Sequence, residues 1–430
     1  MSIQFRKHSM QKHTFKITKW WDKLRSGKKI VQQYAIYFFS ILLIFSFSLL
    51  VAKNTIGGID FYVKWSSARA IQTGEDSVYS KAVQDSLIED AKSFIFFELP
   101  ENNRFTAPIF TLFLYYPFAL IQDFELARSL WMTVCIILLI FGMKQQEQNV
   151  FQLPTKNGTG YFLFLLAFIL FNIFSIITVL SGDILIIALN LILIALQHAR
   201  KGNYELAGIF CGLATFQPAL ALAWVILLSV FSVREGKWGV LIWYVITTML
   251  LILSGFILQA GWTVEYLQTV ILTIRAIPEY LQIQSFNIFQ IIRTIIPIGI
   301  FVIEWIRTFA RIDRPQNNKW LFNLSLVLFA IIVMPLKPEA FLLTVPAWIE
   351  IFSEWNKRRN NSAKVISYIN LGVYLLLSGI FLVTNQESLV NQQHISEIIY
   401  IISSIHVLIS MYWIRGWLKQ EEMKNYIELA

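Results

Sequence analysis

Charge is scarce in this chain. Asp, Glu, Lys and Arg make up 15% of its 430 residues, against about a quarter in soluble globular domains, and that deficit excludes a soluble globule. Cysteine is nearly absent: the 2 present, Cys135 and Cys211, lie within apolar stretches, so no disulfide framework is indicated. No set of His, Cys and carboxylate residues has metal-ligand spacing either. His198 sits beside Arg200 in a basic turn, and His8 and His13 belong to a basic tail. Neither a metal nor another cofactor is expected. What fills the chain is apolar residues, 56% of the total. Stretches such as "YAIYFFSILLIFSFSLLVA" and "YFLFLLAFILFNIFSIITVL" are long enough to cross about 30 Å of hydrocarbon at roughly 1.5 Å per residue. The fold class this implies is all-α, a polytopic bundle of transmembrane helices.

The net charge is +9, but the basic residues sit in short inter-helix loops and at the termini. Membrane orientation accounts for that pattern, and nucleic acid is excluded as a partner. Residues 1–30 form a basic tail with Arg6, Lys7, Lys12, Lys16, Lys19, Lys23, Arg25, Lys28 and Lys29 against Asp22 alone, which places it in the cytoplasm. The apolar segment behind it is too long for a signal peptide and should stay as a helix. The loop over 53–105 is then outside. Basic clusters at Arg234/Lys237, at Arg307/Arg311/Arg314/Lys319, at Lys357/Arg358/Arg359/Lys364 and at Arg415/Lys419/Lys424 fall where alternate crossings put cytoplasmic loops. For Arg200 and Lys201 to stay inside, one of 106–122 and 128–144 must not cross. The weaker candidate is "FTAPIFTLFLYYPFALI", interrupted by Pro108 and Pro117, which reads as re-entrant or interfacial. With Pro218 dividing a further pair of short helices, the count comes to about twelve spans with both termini inside.

Two loops, 53–105 and about 260–286, are larger than a connection needs, and both are predicted on the outer face, which points to that face as the working surface. Phe61, Trp65, Ala68 and Ile71 recur at helical spacing, while Lys64, Arg69 and Gln72 take other directions and Gly74 ends the pattern. The expectation is an amphipathic helix lying on the interface. A second one follows in "SKAVQDSLIEDAKSFIFF", with a stripe through Val83, Leu87, Ala91 and Phe94. Asp60 stands at the start of the first helix, where an N-cap role is the ordinary one. It also has a chemical possibility. A sugar carried on a lipid phosphate needs no general acid at its leaving group, so one carboxylate activating the acceptor hydroxyl suffices. Cations stabilise the departing phosphate, and those predicted near the outer face are Lys64, Arg69, Arg104, Arg293 and Lys337.

The segment "GGIDFYVKWSSARAIQTGEDSVYS" resembles the first external loop of the membrane-embedded glycosyltransferases of the C superfamily, specifically glycosyltransferase family 87. The pattern is carried by Asp60, Phe61, Trp65, Ala68 to Ala70, Gly74, Asp76 and Tyr79. "NRFTAPIFTLFLYYPFALI" is similar to the family's aromatic-Pro-Pro segment, with Ala107 replacing one proline. "LSGDILIIALNLILIALQHARKGNYELAGIFCGLATFQPALAL" follows its next segment but has Gln217 where the family usually has Lys. "SFNIFQIIR" keeps Asn287 and Arg293 but replaces a Gln-Ser pair with Ile288-Phe289.

The likeness covers roughly residues 30–300. It implies a glycosyltransferase (mannosyltransferase) module over 31–300, with additional C-terminal helices over 301–415 and a cytoplasmic tail over 416–430. The donor implied is a polyprenyl-phosphate-linked sugar, mannose foremost. The acceptor would be a glycan or lipid on the outer face of the cell membrane, with membrane lipids around it. By resemblance Asp60 is the general base of an inverting transfer; the predicted topology, with the kept Asn287 and Arg293, makes Arg69, Arg104, Asn287, Arg293 and Lys337 candidates to bind donor phosphate or substrate. Two alternatives use other features. A transporter or lipid flippase would use Asp183, beside Gly182 at a predicted helix end, as an ion or proton site, although a solvated helix-end residue is its ordinary reading. A non-catalytic scaffold in an envelope-polymer complex would fit the loss of Lys at position 217.

Overall fold

The computed structural model describes residues 32, 34–55, 57–74, 77–94, 104–148, 158–280, 288–309, 319–333, 338–357, 361–384 and 401–417. Among these every regular element is helical and no strand occurs. Among the described residues three helices are long and apolar enough to cross a membrane: α1 (Tyr34–Asn54), α5 (Phe124–Gln148, apolar through Lys144) and α11 (Gly239–Leu258). The chain is a membrane protein. Only 11% of the apolar window of α1 and of α11 is buried, against 56% for α5. Residues such as Phe39 and Leu43 on α1 and Met249 and Ile257 on α11 therefore turn outward. An apolar surface this extensive is stable only against lipid or another protein.

The segment expected to cross at 161–180 is a bent pair, α6 (Gly158–Phe171) and α7 (Ile173–Ser181), which meet at 52°; taken as one span it raises the count to four. The break has a local cause. Asn172 adopts an extended backbone (ψ 132°), and its side chain accepts a hydrogen bond from the Phe174 amide at 2.9 Å. It thus starts a new helix by N-capping rather than continuing the old one. The segment over 106–122 forms a 3-10 turn, Ile109–Thr111, running into α4 (Leu112–Ala119). These eleven residues (109 to 119) rise roughly 16 Å, about half the hydrocarbon thickness. The expected division at Pro218 is also present. α8 (Leu185–Arg200) and α9 (Tyr204–Leu213) precede a 3-10 turn, Ala214–Phe216, and Pro218 opens α10 (Pro218–Arg234) at the first helical position, where its missing N–H costs nothing.

Helix α9 packs against α8 and α11. Small residues make the second contact close: a Cβ on Gly208 would lie 2.4 Å from the Val240 carbonyl, and one on Gly212 would lie 2.5 Å from Thr247 Cβ. Small residues four apart are how helices approach closely in a bilayer, where burial alone does not drive them together. Toward the C-terminus lie α12 (Trp262–Tyr280), α13 (Ile288–Phe309), α14 (Lys319–Val333), a 3-10 stretch (Pro338–Thr344), α15 (Val345–Lys357), α16 (Asn361–Thr384) and a last helix, α17, over 401–417. Glu304 of α13, almost wholly buried, receives both terminal nitrogens of Arg415 from α17, one at 2.8 Å. This buried ion pair tolerates its desolvation because it is bidentate.

Candidate functional site: a carboxylate cluster on a buried helix

The helix expected over 59–73 is α2 (Ile59–Thr73), and it ends at Gly74 (φ 74°) as predicted. Its start differs. The N-cap is Gly58, in the left-handed region (φ 86°), and no side chain caps the helix. Asp60 lies one step inside, in the first turn, so the expected N-cap role is corrected. A side chain there accompanies the positive end of the helix dipole rather than satisfying a specific amide.

The placement of α2 also corrects the expectation of an interfacial helix. Phe61 lies with its ring 5.7–6.3 Å from those of Tyr115, Phe118, Phe124 and Trp131. Trp65 Nε1 donates to the Phe118 carbonyl at 3.0 Å. On another side, the Tyr62 hydroxyl donates to the Leu87 carbonyl at 3.0 Å, on α3 (Lys81–Phe94). Enclosed by α3, α4 and α5, the helix buries Lys64 as well. The Lys64 Nζ lies 3.9 Å from Asp60 Oδ1 and 5.8 Å from the centre of the Tyr115 ring. Of the cations proposed from sequence whose side chains are described, Lys64 is the one beside Asp60.

Arg69 and Arg104 go elsewhere. Arg69 lies 4.8 Å over the Trp65 ring and donates to the Gln122 carbonyl at 3.2 Å; nine residues beyond Asp60, it is roughly 13 Å along the axis. Arg104 pairs with Asp85 at 3.4 Å on an exposed surface. Arg293 is on α13, with its side chain outside the described residues. Asn287, Lys337 and Asp76 also lie outside them.

Two acids from distant segments do reach Asp60. Helix α7 ends at Gly182 (φ 78°), where a Cβ would lie 2.4 Å from Phe61 Cβ. This close approach sets Asp183 beside the start of α2. Asp183 is fully buried, which corrects its ordinary reading as a solvated helix-end residue. Its Oδ1 accepts from the Leu185 amide at 2.8 Å and from Gln217 Nε2 at 3.0 Å. Gln217, where the resembled family usually has Lys, is therefore part of this site. The third acid, Glu339, lies in the first turn of the 3-10 stretch, which Phe341 pins to α7 by contact with Phe174 at 4.4 Å between ring centres. One carboxylate oxygen from each of Asp60, Asp183 and Glu339 lies within 4.8 Å of the others. That spacing suits a single cation ligated by all three. Sequence spacing could not reveal this set, because each member comes from a different element. Local signals marked two of its members singly, Asp60 at a helix start and Asp183 beside Gly182.

Arg128 of α5 braces the junction. Almost wholly buried, it donates from Nη1 to the carbonyls of Thr55 (2.9 Å) and Ala52 (3.4 Å), and from Nη2 to the Leu180 carbonyl (3.2 Å). It thus joins the end of α1 to the end of α7, the two strands of chain that lead into Asp60 and Asp183. A Cβ on Gly58 would fall 2.7 Å from Arg128 Nε, so glycine there serves both the left-handed turn and the arginine.

The two large loops, 53–105 and about 260–286, also meet through their described residues. Ser77 donates its hydroxyl to Glu265 on α12, and Gln259 donates to both Glu265 Oε2 and Ser77 Oγ at 2.6 Å. Gln259 Oε1 in turn accepts from the Val78 backbone amide at 3.2 Å.

No protein-family model, curated protein or solved structure matches the chain.

Gly182→Ala tests the close approach. The substitution sets a left-handed non-glycine residue against Phe61, and is expected to cost on the order of 2 kcal/mol or more. A thermal unfolding midpoint equal to wild type in detergent would contradict the arrangement.

Proposed function

We propose that the chain is an inverting glycosyltransferase that moves a sugar, mannose foremost, from a polyprenyl-phosphate carrier to a glycan or lipid acceptor on the outer face of the cell membrane. The observation that carries this reading is Asp60: a partly exposed carboxylate beside a buried lysine, at the head of a helix that the interior holds rigid. Asp60 takes the proton of the acceptor hydroxyl as it attacks the anomeric carbon. The phosphate departs as a stable anion without a general acid. Lys64 supplies positive charge next to the base, in the part first assigned to Arg69 and Arg104, while Asn287, Arg293 and Lys337 remain proposed donor-binding residues. The contact of Ser77 and Gln259 with Glu265 supports this reading, since it joins the two loops that the reading puts on one working face. In the same reading the shorter apolar helices complete a bundle of about twelve spans with both termini inside.

Membranes containing the protein, supplied with polyprenyl-phosphate carrying radiolabelled mannose, are expected to form labelled acceptor that control membranes do not. Equal labelling in both would overturn the proposal.

Transport is a second reading, favoured by the full burial of Asp183 at the break between α7 and α8. Gradient-driven uptake into proteoliposomes, with no glycosylated product, would select it.

A further inference from the structure

The cluster of Asp60, Asp183 and Glu339 offers three carboxylate oxygens within 4.8 Å of one another, held from α2, from the α7–α8 junction and from the 3-10 stretch. An all-oxygen set is the donor chemistry of hard divalent cations. Calcium, at 2.3–2.6 Å from each ligand, puts opposed oxygens about 5 Å apart, and smaller ions need a modest contraction.

Tyr115 supplies an independent observation. Its side chain is wholly buried, and its hydroxyl has no hydrogen-bond partner among the described residues. The carboxylates whose charge reaches that hydroxyl are Asp183 and Asp60. The ring cannot swing away, because it stacks on Trp131 at 4.4 Å and 26° and lies under Lys64. A buried O–H without an acceptor is costly by about 1–3 kcal/mol. An oxygen held at the cluster relieves that cost, and a cation with three protein ligands keeps water in its remaining positions.

We infer that Asp60, Asp183 and Glu339 bind one divalent cation of the hard, oxygen-preferring class, with the Tyr115 hydroxyl directed at its water shell. Lys64 accompanies the ion without ligating it. Ligation through one oxygen of Asp60 leaves its second oxygen to accept a proton, so the site is compatible with the proposed base. Binding itself does not depend on sugar transfer.

The test uses the full-length protein in nanodiscs, stripped with chelator and titrated with Mn2+ while free ion is followed by electron paramagnetic resonance. Saturable binding of about one equivalent is expected. Asp183→Asn and Glu339→Gln should each weaken it about tenfold or more, because each removes a charged ligand. Tyr115→Phe should keep the stoichiometry and weaken affinity only severalfold. Because Asp183 also supports the fold, Asp60→Asn, at a partly exposed position, serves as a further ligand variant and is expected to weaken binding like the others. Absence of saturable binding by the wild-type protein, or undiminished binding by folded ligand variants, would overturn the inference. Mn2+ binding without sugar transfer would remove the proposed function and leave the ion site standing; transfer that proceeds without Mn2+ binding would do the reverse.

Discussion

In membranes carrying Asp60→Asn, transfer of labelled sugar from the polyprenyl-phosphate donor is expected to fall by about 10²–10⁴-fold, the usual contribution of a positioned general base. The fold should be untouched. Asp60 caps no amide, its side chain is 39% exposed, and its contact with Lys64 is a loose 3.9 Å pair. So loose a pair contributes little to stability, and the buried Lys64 keeps the Tyr115 face and an asparagine oxygen beside it, so the thermal unfolding midpoint of the purified variant should lie close to wild type. The combination of an unchanged midpoint and lost transfer separates catalysis from helix support. Transfer at the wild-type rate would sink the base assignment. Loss of transfer in proportion to loss of folded protein would show a structural role instead.

Arg128→Met is expected to be the most destabilising of the single changes considered. Methionine fills much of the same volume, but the carbonyls of Ala52, Thr55 and Leu180 lose a charged donor in a nearly water-free place. Hydrogen bonds to a charged group contribute about 1.5–3 kcal/mol each, and orphaned buried acceptors add their own cost, so a loss on the order of 3 kcal/mol or more follows. In detergent this should appear as a clearly lowered unfolding midpoint. Arg128→Lys should recover only part of it, because one ammonium cannot reproduce the planar fork that spans three acceptors. A midpoint equal to wild type in Arg128→Met would show that α1 and α7 are held together by something else.

Much of the helical framework was legible in the sequence because its causes are local. Helical spacing from Phe61 to Ile71 and the stop at Gly74 gave α2, the stripe from Val83 to Phe94 gave α3, and Pro218 gave the break before α10. The prolines at 108 and 117 marked a segment too short to cross. The break at Asn172 was hidden because asparagine is tolerated inside helices, and nothing in "AFILFNIFSIIT" requires it to cap. The environment of α2 was misread for a related reason. Helical spacing turns Lys64 away from the apolar stripe, yet a lysine can be enclosed when an acid and an aromatic face accompany it, here Asp60 and Tyr115. The carboxylate cluster was the least legible feature, since Asp60, Asp183 and Glu339 are neighbours only after three separate elements have packed.

The brace on this cluster also governs which substitutions the protein can accumulate. Arg128 grips main-chain oxygens, which every amino acid presents alike. The grip itself therefore sets no side chain at positions 52, 55 and 180, where only packing does, as at the buried Ala52. The identities it imposes are few: arginine at 128, with glycine at 57 and 58, where a Cβ would lie 3.1 and 2.7 Å from that guanidinium. A relative could differ at most surrounding positions and still carry the same spacing between its carboxylates.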